Sequence, residues 1–235
     1  MQRAPNRVLA LDDLEAPSFR EILAEMDALL AREDVSYLHP GKRWEYPWAL
    51  SRAELPAGSR VLDAGAGDSI FSVYLAKRGH RVTAVDLSFA GTLGELHHVP
   101  IEYVRADLTD LPQPSASFDA VFCISVIEHL SEEQVPKAMA ELRRVLRPGG
   151  KLLLTTDYYE DADAEIWYSG PGERFKVDWG IFDADRLERL ILRAPGYRVH
   201  GELDLAVDWD ATRERMRAFH GYPYTSVGVA LVKDG

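Results

Sequence analysis

Val61-Leu62-Asp63-Ala64-Gly65-Ala66-Gly67-Asp68-Ser69 is the stretch on which the reading of this chain turns. An apolar run passes through two glycines into the amphipathic segment 70–78, and Gly79 stops that segment before a second apolar run, RVTAVD, ends on Asp86. The order is strand, tight turn, helix, strand, which predicts a parallel βαβ unit. Glycines at 65 and 67 let the backbone turn sharply and approach a ligand, and the helix start beyond them offers unpaired N–H groups. Asp86 follows the first glycine by about 20 residues, the distance at which a carboxylate accepts hydrogen bonds from both hydroxyls of a ribose. The unit predicts a nucleotide-like cofactor.

Working outward, IEYVRAD, FDAVFCIS and KLLLTTD read as three further strands, short and apolar enough to be buried on both faces. Ser131 starts a helix between the last two; Glu132 and Glu133 suit its positive end, and Arg143, Arg144 and Arg147 its negative end. FDADRLERLIL then reads as a helix, YRVHGELDL as a strand, WDATRERMRAFHG as a helix and YTSVGVALVKD as the last strand. The predicted fold is α/β: a Rossmann-like sheet of seven mostly parallel strands with helices on both faces and an antiparallel last strand. On the N-terminal side, Phe19, Ile22, Leu23, Met26, Leu29 and Leu30 share one face of a helix, whereas HPGKRWEYPWAL is too rich in Pro, Gly and aromatics to read as one regular element.

The chain has 235 residues, 46% of them hydrophobic, and a net charge of −11 from 27 basic and 38 acidic side chains. Length and composition predict one domain over 1–235. It would comprise an N-terminal helical lid segment (1–57), a cofactor-binding core (58–157), a substrate-lid insertion (158–181) and a C-terminal helix and strand region (182–235). No apolar run approaches the roughly 18 residues of a membrane span, so neither a membrane nor a leader is expected, and the reading is cytoplasmic. The single cysteine, Cys123, forms no internal disulfide and excludes zinc sites built on several thiolates; no metal is expected. The acid excess argues against a nucleic-acid partner. Nothing in the sequence fixes an oligomeric state.

Nicotinamide enzymes share Asp86 but place a third glycine three residues after the second, where this chain has Ile70, and the chain has no Tyr-x-x-x-Lys pair beside Ser125. From Arg60 to Asp157 the chain instead resembles the class I S-adenosylmethionine-dependent methyltransferases, in particular the small-molecule branch called methyltransferase type 11. VLDAGAGDS, VTAVDLS, ADLTDLP, FDAVFCISVIEHL and LRPGGKLLLTTD arrive in the family's order. The resemblance implies that Gly65, Ala66 and Gly67 pass beneath S-adenosyl-L-methionine and that Asp63 supports its methionine ammonium end. Asp86 would hold the ribose, Leu87 would pack on the adenine, and Asp107 and the backbone of Leu108 would meet the adenine edge. Ile124 and Ser125 would border the methionine moiety. The family's usual third glycine, two residues after Gly67, is Ser69 here.

The implied reaction moves a methyl group to an O or N atom of a small-molecule acceptor and leaves S-adenosyl-L-homocysteine. His129 follows Glu128 where the resemblance places the transferred methyl, and an imidazole titrating near neutrality can serve as the base. All five tryptophans lie outside the cofactor motifs, and the aromatic stretches on either side read as walls of an apolar pocket, with Trp44, Tyr46, Tyr158, Trp167 and Tyr168 as candidate substrate contacts. Tyr159, His220, Tyr222 and Tyr224 could also face that pocket. The competing reading is a module that binds S-adenosylmethionine without turnover, which intact Asp63, Gly65, Gly67 and Asp86 do not exclude.

Overall fold

The computed structural model describes residues 4–31, 38–89 and 93–235. Its elements run β1 (Asn6–Val8), α1 (Pro17–Leu30), α2 (Lys42–Ala53), β2 (Arg60–Ala64), α3 (Ile70–Lys77), β3 (Arg81–Asp86), α4 (Leu93–Leu96), β4 (Ile101–Arg105) and β5 (Phe118–Ile124). They continue α5 (Val135–Val145), β6 (Leu146–Tyr158), β7 (Trp167–Gly170), β8 (Glu173–Lys176), α6 (Ala184–Leu187), β9 (Tyr197–Val199), β10 (Leu203–Asp204), α7 (Trp209–His220) and β11 (Thr225–Lys233). The main sheet has the order β10-β1-β11-β6-β5-β2-β3-β4, with β9 also paired to β11. The pairs from β6 to β4 are parallel, and β11 runs antiparallel to β6.

All seven expected strand regions lie in this sheet, and two departures bring it to nine strands. YRVHGELDL breaks into β9 and β10 around Gly201, whose φ of +90° is easy for glycine alone. β1 is an addition, held by the buried amide of Asn6. That side chain accepts from Ala230 N at 2.6 Å and donates to the carbonyls of His200 and Glu202 at 3.0 Å each, standing in for a stretch of backbone ladder.

Strand β5 shows how the layers form. Val121 and Cys123 pack toward α5 and α6, while Ala120, Phe122 and Ile124 pack toward α1, α2 and α3, because successive side chains leave a strand on opposite faces. Both faces are covered, as continuous apolar strands require.

Segment 42–53, expected to be irregular, is the helix α2. Pro47 removes one helical hydrogen bond, a cost of about 3 kcal/mol for an interior proline. Packing offsets it: Trp44 and Trp48 are fully buried with rings stacked 5.7 Å apart, and their indole N–H groups donate to Asp13 Oδ2 at 2.8 Å and Pro5 O at 2.9 Å. Part of the region expected to be an irregular lid is the hairpin β7–β8. The helix expected from Ser131 begins only at Val135, after a turn in which Gln134 N donates to Ser131 O. In the segment 90–99, residues 90–92 lie outside the described residues and α4 is a single turn. Among the described residues no helix is long and apolar enough to cross a membrane.

Candidate functional site

The C-terminal ends of β2, β3, β5 and β6 converge on one edge of the sheet, where open α/β sheets bind ligands. A cleft of about 430 Å³ opens there, lined by Gly65, Asp86, Leu87, Ala106, Asp107, Leu108, Ser125, Val126, His129, Leu130 and Gln134. Its floor is the turn after β2. Gly65 N and Ala66 N both donate to Val85 O, at 2.7 and 3.0 Å, and Gly67 N donates to Asp86 Oδ2 at 2.8 Å. Gly65 has φ +76°, and a Cβ at this position would lie 2.4 Å from Val126 Cγ1, so both torsion and space demand glycine. Ser69 caps α3 by accepting from Phe71 N at 3.0 Å, and its hydroxyl lies 2.9 Å from Tyr46 Oη.

At the wall, Leu87 leaves 63% of its surface exposed, an apolar platform at the mouth. Asp107 Oδ1 accepts from Thr109 N and Thr109 Oγ1, both at 2.8 Å, bonds that hold its carboxyl below the usual range. Asp63 is buried beneath the turn instead of lining the cleft. Ser72 Oγ donates to Asp63 Oδ2 at 2.6 Å, and burial pushes its pKa up to about 6 despite that bond. Ile124 reaches the site through its carbonyl, which accepts from Lys42 Nζ at 3.1 Å. Ser125 has φ +52°, an uncommon torsion for a residue with a side chain and of the kind that collects at functional sites.

A second cavity of about 260 Å³ adjoins the first and shares Ser125 and His129 with it. Lys42, Glu45, Glu128, Asp157, Trp179, His220, Tyr222 and Tyr224 are among its walls. Lys42 Nζ lies 2.8 Å from Glu45 Oε2, and Ser125 Oγ donates to Glu45 Oε1 at 2.8 Å. Burial alone would lower Lys42 and raise Glu45; their attraction outweighs it, so the pair is held charged. Glu128 and Asp157 have no ion-pair partner among the described residues, and Lys42 acts on them only from beyond ion-pair distance. Thr156 Oγ1 donates to Glu128 Oε2 at 3.2 Å and Trp179 Nε1 to Asp157 Oδ2 at 2.8 Å, yet burial raises both carboxyls, Asp157 to about 7. Burial, then Lys42, lowers His129, so its imidazole is neutral at physiological pH. Its ring lies tilted against that of Trp179, the centroids 5.6 Å apart.

The structure therefore gathers Gly65, Asp86, Leu87, Asp107, Leu108, Ser125 and His129 around one cleft, with Ala66 and Gly67 in its floor. The expected substrate contacts scatter. Trp44 is buried against Trp48, and Tyr158 is buried in β6 with its ring 5.8 Å from Trp209. Tyr46 stacks on Phe71 beneath the glycine turn. Trp167 is on β7, 38% exposed beneath the Arg174 guanidinium. Tyr168 reaches the second cavity's wall, its ring 4.9 Å from that of Tyr222, and Tyr46 meets it through Lys42 Nζ, 6.0 Å from its ring centroid. Lys42, Glu45, Glu128 and Asp157 were not singled out from sequence. Glu128 and Asp157 stood inside quoted motifs, and a period-two reading of β6, which places Thr155 and Asp157 on one face, is the signal that would have marked Asp157.

Residues 62–154 match the family model described as a methyltransferase domain. A malonyl-[acyl-carrier protein] O-methyltransferase of Serratia marcescens is 38% identical over 126 residues, which is 50% of this chain and 46% of that protein. A ubiquinone biosynthesis O-methyltransferase of Xanthomonas oryzae pv. oryzae is 39% identical over 109 residues, 43% of this chain and 44% of that one. The chain thus spans about half the length of the curated relatives it matches. Among solved structures, the Burkholderia thailandensis 1,6-didemethyltoxoflavin-N1-methyltransferase, with that compound and S-adenosylhomocysteine bound, superposes with a TM-score of 0.62 at 22% identity, covering 97% of this chain and 92% of that one. At that identity the likeness speaks for the fold.

Proposed function

The domain spanning residues 62–154 being of the class I S-adenosylmethionine-dependent methyltransferase family, we propose that this chain transfers the methyl group of S-adenosylmethionine to an O or N atom of a small molecule seated in the second cavity. The observation that carries this reading is the pair of adjoining cavities sharing Ser125 and His129, one walled by the glycine turn and Asp86, the other by aromatic and ionisable side chains.

The residues fit the cofactor. A turn closed by two left-handed glycines leaves room at the backbone that a Cβ at Gly65 would remove, and Asp86 stands at the end of β3, where a carboxylate would accept from the ribose hydroxyls. Leu87 would offer a face to the adenine, and Asp107 and Leu108 would flank its edge. When bound, the cofactor supplies an electrophilic methyl on a sulfonium. The protein's own work is alignment and control of one proton. The neutral imidazole of His129 accepts the proton of an oxygen or nitrogen nucleophile as the new bond forms; Trp179 holds the ring in place, and Lys42 disfavours its protonation before the acceptor arrives. Asp63, near the end of β2, accepts from Ser72 on α3, a bond that joins the two elements the glycine turn connects.

Calorimetric titration with S-adenosylhomocysteine, and separately with NAD⁺, tests the reading. Micromolar binding of the first and none of the second is expected. Absence of S-adenosylhomocysteine binding would overturn it. Binding without any transfer of labelled methyl to a panel of hydroxylated and aminated acceptors would favour a non-catalytic module.

A further inference from the structure

The second cavity is chemically lopsided in a way that describes its ligand. Glu45, Glu128 and Asp157 present three carboxyl groups to it against the single ammonium of Lys42, which Glu45 and the carbonyl of Ile124 already engage. Glu128 and Asp157 are 2% and 8% exposed, so water cannot serve them freely, and beyond the bonds they accept from Thr156, Trp179 and Tyr224 each carboxyl, protonated or ionised, keeps acceptor capacity for an occupant.

An independent feature asks for the opposite chemistry. His220, 7% exposed, also lines the cavity, and its Nδ1 accepts from Tyr222 N at 3.2 Å. Burial, reinforced by His39, lowers its pKa to about 4, so the ring is neutral. A neutral imidazole with its lone pair on Nδ1 carries its hydrogen on Nε2. That Nε2 is buried and has no hydrogen-bond partner among the described residues. A buried donor without an acceptor is costly and is what a ligand atom can relieve. Trp179, Tyr222 and Tyr224 wall the same space, the two tyrosine rings stacked 4.8 Å apart, which suits a flat occupant.

We propose that the acceptor substrate is a planar nitrogen heterocycle bearing an exocyclic amino group that donates to Glu128 and Asp157, and a carbonyl oxygen that accepts from His220 Nε2–H. The inference rests on the methyl-transfer reading for the identity of the neighbouring cleft, and the test separates the two. The full chain is saturated with S-adenosylhomocysteine, a step that itself reports on the cofactor reading, and titrated by calorimetry with three rings of one size. Isocytosine has the amino edge and a carbonyl, uracil replaces the amino group by a second carbonyl, and 2-aminopyrimidine lacks the carbonyl. If S-adenosylhomocysteine does not bind, the same titrations are made on the free chain.

Isocytosine is expected to bind at least about tenfold more tightly than either other ring, because each of those leaves a buried partner unpaired. Asp157→Asn should bring the isocytosine-to-uracil ratio to within about twofold, and His220→Phe should do so for the isocytosine-to-2-aminopyrimidine ratio while leaving the first ratio in place. Thermal melting shows that the variants are folded, and the wild-type ranking stands as a test without them. Equal affinities for the three rings, no binding of any up to about 10 mM, a concentration far beyond specific recognition, or a ranking that folded Asp157→Asn leaves unchanged would overturn the proposal.

Discussion

The two cavities that meet at Ser125 and His129 are built in opposite ways. The first is a product of the backbone: consecutive turns at the ends of β2, β3 and β5 bring Gly65, Asp86 and Ser125 together, and its key contacts are main-chain N–H groups and one strand-end carboxylate. The second is made of side chains from distant parts of the chain, with His39, Lys42 and Glu45 around the start of α2, Asp157 at the end of β6, Trp179 after the β7–β8 hairpin and His220 to Ser226 near the C-terminus. A cavity made of local turns varies little when its surroundings vary. One assembled from separate elements can be changed element by element, which is how one fold serves many acceptors.

The largest expected break in this contrast is Lys42→Met. It leaves Glu45, 2% exposed, without its cation, and losing one partner of a buried ion pair typically costs about 3–5 kcal/mol. Urea unfolding should register a loss of that order, and Lys42→Met/Glu45→Gln should recover at least half of it. If Lys42→Met unfolds like the wild type, the second cavity is not organised by this pair.

Next in size is a pH effect confined to the second cavity. His220 has its pKa lowered to about 4 by burial and by His39, against an ordinary 6.5. The unfolded chain therefore binds more protons at this residue between those values, so its contribution is fully present above about pH 6.5 and is lost as pH falls toward 4, on the order of 3 kcal/mol in all. Asp157, raised to about 7, has the opposite sign: its contribution is present at low pH and is lost as pH rises from about 4 to 7. The wild-type curve mixes the two. Subtracting the stability of His220→Phe from that of the wild type over pH 4–7 isolates the histidine, and the difference should fall with acidification. A flat difference would mean that the imidazole is already solvated.

In the first cavity, Asp86→Ala should weaken S-adenosylhomocysteine binding by about 100-fold, from a charge-assisted contact worth about 2–3 kcal/mol. The same variant frees Gly67 N, which Asp86 Oδ2 accepts at 2.8 Å, so the turn loosens as the ligand contact goes. Calorimetry checks it, and retention of affinity within about threefold would detach Asp86 from the cofactor.

These differences explain what could be read in advance. The sheet, the glycine turn and Asp86 were legible because each depends on residues within one βαβ unit, where strand periodicity, glycine torsion and strand-end placement are local rules. α2 was not: Pro47 and Gly41 argue locally for a break, and only burial of Trp44 and Trp48 against a distant sheet outweighs them. The loss carried over to the site, since Lys42 and Glu45 enter the second cavity on that helix. β1 was invisible for a similar reason, three residues long and held by a side-chain amide bonded about 200 residues away. The aromatic flanks suggested a pocket wall, but aromatics serve core and cavity alike. Trp44 went to the core and Trp179 to the cavity, and composition does not distinguish them.

The smallest effect is expected where the two regions touch. Ser69 stands where the family's motif has glycine, and it caps α3 while its hydroxyl meets Tyr46 on the helix that also carries Lys42. Ser69→Ala removes both bonds and should cost about 1 kcal/mol in urea unfolding, the ordinary price of a lost N-cap. Ser69→Gly keeps a tolerated cap residue, for which only a few tenths of a kcal/mol are expected. Any further loss in the glycine variant measures the tie to Tyr46, which Tyr46→Phe should reproduce on its own. Cofactor-product affinity should change by less than about fivefold in all three variants, since Asp86 and the glycine turn remain and a shift within about 1 kcal/mol allows no more than about that. A tenfold loss in Ser69→Gly would show instead that α2 sets the shape of the glycine turn, and that the two cavities are one mechanical unit.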